Sequence, residues 1–180
     1  MILLAAGVAL WSGAHFFKRL APDARARMGD AGKGVVALAL VASIVLMVLG
    51  YRGADVVALW YPPPFLVHVN NLLMVLAFYL FGVGAARGTT ATWLRHPQLT
   101  AVSVWAVGHL LVNGDLASVV LFGGLLVWAL AEMAVINRSQ PWDRPAGSWK
   151  GDLKALVIGL VLLVIAAAVH IWLGVNPFGA

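Results

Sequence analysis

The stretch Arg95 to Ser118, RHPQLTAVSVWAVGHLLVNGDLAS, places two of the chain's five histidines and one of its seven acidic residues in and around an apolar run. A neutral imidazole can bind a metal through its lone pair, or carry a proton near neutral pH. Pro97 suits a first helical position, where its missing N–H is not needed, and Asn113-Gly114 is a helix-stopping pair. Leu99 to Val112 therefore reads as a short membrane helix. At 3.6 residues per turn, Val102, Trp105, His109 and Asn113 fall on one stripe. An ionisable ring inside hydrocarbon is costly, turns inward and marks a site. The alternative for His109 is a core histidine satisfied by a serine or a backbone carbonyl.

The other histidines carry paired readings. His15 lies one turn before Lys18 and Arg19 and one turn after Trp11. It is either an axial metal ligand, with cations at hand for anionic groups such as haem propionates, or an interfacial histidine bonded to a neighbouring helix. His68 follows Pro62-Pro63-Pro64 and shares a face with Asn71, which suits a second ligand, a proton-transfer group or a wet interface. His96, between Arg95 and Pro97, suits helix capping or a headgroup contact, and His170 beside Trp172 suits an interface anchor. Asp115 suits the cap of the helix that follows it, and Glu132 a partner for Arg138 or another base. No paired carboxylates and no nucleophile, base and orienter set are visible.

The elements that position these groups follow from composition. The 180 residues are 62% hydrophobic and 11% charged, with a mean hydropathy of +0.93, against about half apolar and a quarter charged in a soluble domain. This is an integral membrane protein, all-α, in one domain over residues 1–180. The net charge of +5 does not indicate nucleic acid, because the basic residues sit in short loops between apolar runs. With no cysteine there is no disulfide, thiolate ligand or covalent haem attachment, so any haem is non-covalent and held by other side chains.

Six apolar segments are expected to be transmembrane helices, at about 1–17, 34–51, 65–86, 98–113, 116–136 and 154–174. Lys18 and Arg19 follow the first apolar stretch rather than precede it, which predicts a retained helix, not a cleaved signal. Eleven of the twelve basic residues fall in the first, third and fifth loops, and Arg52 alone in the second. The positive-inside rule puts those three loops in the cytoplasm and both termini outside it. Small residues at Gly82–Gly84, Gly123-Gly124 and Ala166–Ala168 permit close helix approach, or a slot for a flat ligand.

The segments RHPQL and WAVGHLLVNGDLAS, with GAHFFKRLAP, GYR and LWYPPPFLVH in the same order before them, resemble the NnrU family of bacterial membrane proteins. The resemblance covers roughly residues 5 to 136. It implies a multi-pass protein of the bacterial inner membrane linked to nitrite and nitric oxide metabolism. The family is similar in turn to the plant 15-cis-zeta-carotene isomerases, which use a b-type haem. Carried over residue by residue, that likeness makes His15 and His109 the haem ligands and matches His96 and His68 to further histidines. Where those enzymes carry a cysteine three residues before the second ligand, this chain has Ala106, so a thiolate exchange is impossible.

At about 1.5 Å per residue, His15 lies roughly 5–8 Å and His109 roughly 16 Å from the cytoplasmic face, compatible with two imidazoles on one tilted ring. A pairing of His109 with His68 gives a similar offset. Only the cytoplasmic pairing brings propionates near Lys18, Arg19 or Arg95, with Trp105 on the same stripe as His109. Three functions follow as expectations. They are redox or gas-ligand chemistry at a His-ligated haem, a haem-dependent isomerase of an apolar polyene, and a cofactor-free accessory factor for nitrogen-oxide reductases. The implied partners are the bilayer, haem, nitric oxide or an apolar small molecule, with a homo-oligomer compatible and nucleic acid excluded.

Overall fold

The computed structural model describes residues 1–179, and every element among them is helical. In chain order these are α1 (Ile2–Leu20), α2 (Pro22–Arg27), α3 (Ala31–Arg52), α4 (Leu66–Ala86), a 3₁₀ turn at Thr89–Thr92, α5 (Pro97–Val112), α6 (Leu116–Ser118), a π turn at Val119–Gly123, α7 (Gly124–Ser139) and α8 (Trp149–Trp172). All six apolar segments are helices. Proline sets two of the boundaries. Pro22 forces Ala21 out of helical geometry, ending α1, and takes the first position of α2, while Pro97 opens α5. Asp115 caps α6 by accepting from the Ser118 N–H at 2.9 Å, as the sequence predicts, and Ser148 caps α8 through the Gly151 N–H at 3.2 Å.

Four helices are long and apolar enough to cross a membrane: Ala31–Arg52, Leu66–Ala86, Leu116–Ser139 (α6, the π turn and α7 together) and Trp149–Trp172. α5 is shorter, at 16 residues, and α1 carries His15, Lys18 and Arg19 in its second half. The exposed side chains of α3 include Val35, Leu38, Val41, Ile44, Val45 and Val48. Such an apolar exterior belongs in lipid rather than in water.

The chain forms two compact units. The first is Met1–Tyr61 with Asn113–Trp128; the second is Pro62–Val112 with Ala129 onward. In the first, α1 packs on α3, with Leu4 and Ser43 fully buried between them. Gly50 permits the approach: a Cβ there would meet the Leu4 backbone nitrogen and, at 2.7 Å, its Cα. Beyond α3 the chain is pinned by backbone bonds, Leu59 N–H to Gly114 O at 2.7 Å and Leu116 N–H to Val57 O at 2.9 Å. A side-chain chain runs beside them. A carboxylate only accepts, so Ser118 Oγ donates to Asp115 Oδ2 at 2.6 Å, and the Tyr51 hydroxyl donates to Ser118 Oγ at 2.9 Å.

In the second unit, α4 packs against both α5 and α8. Gly82 lies against the Ala155 carbonyl so closely that any Cβ would collide with it. Val83, Ala91 and Ala155 form a small core under Tyr79. At that end of α4, Asp152 accepts from the Thr89 and Thr90 N–H groups at 2.8 and 3.0 Å, and the Tyr79 hydroxyl bonds Thr90 Oγ1 at 2.8 Å. The charged start of α8 thus holds the 3₁₀ turn.

Candidate cofactor site

Two turns share one construction. WSGAH in α1 and WAVGH in α5 each put a tryptophan four residues before a histidine, one helical turn away. His15 Nδ1 bonds the Trp11 carbonyl at 2.9 Å, and His109 Nδ1 bonds the Trp105 carbonyl at 2.9 Å. The indole and imidazole centroids lie 4.4 Å apart at 43° in the first turn and 4.9 Å apart at 48° in the second. A carbonyl oxygen only accepts, so Nδ1 carries the hydrogen. In the neutral ring the lone pair is then on Nε2. His170 makes the same bond to the Ala166 carbonyl at 2.7 Å. The bond alone therefore does not separate the three histidines; the tryptophan one turn earlier sets His15 and His109 apart from His170.

The surroundings of the two turns differ. In the first unit, His15 also packs on Trp128, with centroids 4.6 Å apart, and Trp128 meets Trp11 edge to face at 5.4 Å and 83°. Trp128 is 5% exposed. Lys18 and Arg19 occupy the last turn of α1, and Arg19 continues the stripe of Trp11 and His15 by helical spacing. In the second unit, Gly108 beside His109 admits α4. A Cβ there would meet Met74 Cε at 2.5 Å and Asn70 Oδ1 at 2.9 Å. That glycine serves helix packing, not a ligand cradle.

Other residues singled out by the sequence have different positions. Arg95, expected beside propionates, lies outside α5, two residues before its first residue Pro97. Its Nη2 donates to the Gln140 carbonyl at 2.6 Å, with Ile136 and Pro141 carbonyls at 3.5 and 3.4 Å. These are groups at and just beyond the end of α7, where terminal carbonyls attract a cation; Ile136 O also accepts from the Gln140 N–H at 3.0 Å. His96 Nε2 bonds Asn137 Oδ1 at 2.8 Å and strengthens the same clasp, while His68 is exposed in the first turn of α4. Trp128 had no role in the sequence reading, and only its long-range packing gives it one.

The donor that each turn offers is one imidazole nitrogen, Nε2. Among the described residues, no three side chains of His, Cys, Asp or Glu come together as a bare metal ion would need. A porphyrin brings four nitrogens and takes one or two protein ligands. A histidine whose Nδ1–H is tied to a carbonyl is the usual form of such a ligand.

Fold and site together define a multi-pass, all-α membrane protein with two matched tryptophan–histidine turns. The family description NnrU protein matches residues 3–177. The chain belongs to the NnrU family, and the match extends beyond residue 136, across α8. No curated protein and no solved structure matches it.

Proposed function

We propose that this NnrU protein holds one b-type haem through His15 and His109 and works in nitrite or nitric oxide metabolism, by electron transfer or by binding a small gas. The supporting observation is the repeated tryptophan–histidine turn, with Nδ1 to its own carbonyl at 2.9 Å in both copies. In this reading all six apolar helices cross the bacterial inner membrane, with both termini outside the cytoplasm. Haem with two imidazole ligands supplies one-electron transfer, and a nitric oxide site where one imidazole gives way.

The protein's own groups do the rest. Each carbonyl fixes the tautomer and direction of its imidazole and raises the basicity of Nε2. Trp11 and Trp105 hold the rings from the preceding turn. Lys18 and Arg19, at the inner end of α1, attract carboxylates near the membrane surface while their stems lie along apolar surface. Arg95 acts through structure, by tying the start of α5 to the end of α7.

The test is the absorbance spectrum of the purified protein, with haem supplied, beside His15→Ala, His109→Ala and His170→Ala. A Soret band in the wild type, lost or shifted in the first two variants and kept in the third, is expected. No Soret band, or an unchanged one in both His15→Ala and His109→Ala, ends the proposal. In that case the accessory-factor reading takes its place.

A further inference from the structure

An indole N–H is a donor with no acceptor function, and burying it without an acceptor forfeits its hydration. Nε1 of Trp11 and Nε1 of Trp128 are both buried without a hydrogen-bond partner among the described residues. Both belong to rings packed on His15, at 4.4 and 4.6 Å between centroids. Their mutual edge-to-face arrangement at 83° can aim at most one N–H at the other ring's face, and such a contact is weak. The described residues supply neither donor with an oxygen or nitrogen acceptor.

We propose that Trp11 and Trp128 donate their indole N–H groups to a carboxylate of the ring held at His15. This rests on the haem reading and assigns the anchoring of one propionate. The cations in the last turn of α1, Lys18 and Arg19, favour a negatively charged acceptor over a neutral one. Trp11 and Trp128 are positioning residues for the ring, and His15 remains its ligand. The pair also sets a chemical preference: a porphyrin with free carboxylates is held more tightly than the same porphyrin esterified.

The experiment titrates the full chain in lipid nanodiscs with ferric haem b and with its dimethyl ester, following the Soret band. Trp128 and Trp11 are replaced in turn by 3-benzothienylalanine, which keeps the ring shape and removes the N–H, so that packing is preserved. The wild type is expected to prefer the acid by about tenfold, as charge-assisted hydrogen bonds are roughly twice as strong as neutral ones. Removal of the N–H at Trp128 should cut that preference several-fold while the Soret position stays fixed. An equal preference in wild type and both variants overturns the inference and leaves the haem reading standing, the donors then serving water. No uptake of either porphyrin by the wild type overturns both.

Discussion

In α1 the imidazole of His15 rests on the tryptophan of its own turn and on Trp128 from α7. In α5, by contrast, the glycine beside His109 lets α4 come close with Met74 and Asn70. The local turn is the same in both, because a tryptophan four residues before a histidine, with small residues between, fixes ring and carbonyl geometry within one helix. The neighbourhood is not, because it depends on which distant helix packs there. The His15 turn packs its imidazole against two indoles, whereas the His109 turn lies beside the close approach of α4 to Gly108.

The largest effect is expected at the ligands themselves. His15→Ala and His109→Ala should each weaken haem retention by more than about 100-fold, since even the groups behind metal ligands are worth 10–100-fold. His170→Ala should change it little. Titration of the Soret band checks all three, and a comparable loss in His170→Ala would erase the distinction drawn from the tryptophan.

Next comes packing. Gly50→Val and Gly82→Val drive a side chain into backbone at Leu4 and Ala155 respectively. Each should cost about 1–3 kcal/mol. Hydrogen exchange should show the loss in α1 and α3 for the former and in α4 and α8 for the latter. A spread of either effect over both units would mean that the two units unfold as one.

Caps give a smaller contrast. Asp115→Ala and Ser148→Ala each remove a helix-capping acceptor, worth about 1 kcal/mol. Asp115 also takes the Ser118 hydroxyl, so its loss should lower the thermal midpoint more than that of Ser148. The smallest change is a gain. Arg87 ends α4 at φ 50°, in the left-handed region that glycine prefers, and its side chain is exposed. Arg87→Gly should stabilise by about 0.5 kcal/mol. A lower midpoint would reveal a role for the Arg87 side chain.

Much of the fold was legible. Long apolar runs, Pro22, Pro97 and the Asp115 cap are local signals, and they place helices within a few residues. α8 starts at Trp149 rather than near 154, because Lys150, Asp152 and Lys154 make a helix's first turns read like a loop while the Ser148 cap acts from outside them. α2 was hidden in a charged loop, and the π turn in a uniformly apolar run with no polarity contrast to mark it. At the site, the spacing of Trp105 and His109 was visible in the sequence. The engagement of Arg95 by carbonyls 41 to 46 residues later, and of His15 by Trp128, was not, because no local pattern encodes such partners.

In the proposed haem-loaded state, the two tryptophan–histidine turns supply two imidazoles to one iron. Electron paramagnetic resonance of the ferric, haem-loaded protein tests it most directly. A single low-spin signal of bis-imidazole type, converted to high spin by His15→Ala and by His109→Ala alike, is the predicted result. A low-spin signal that survives either substitution would contradict it.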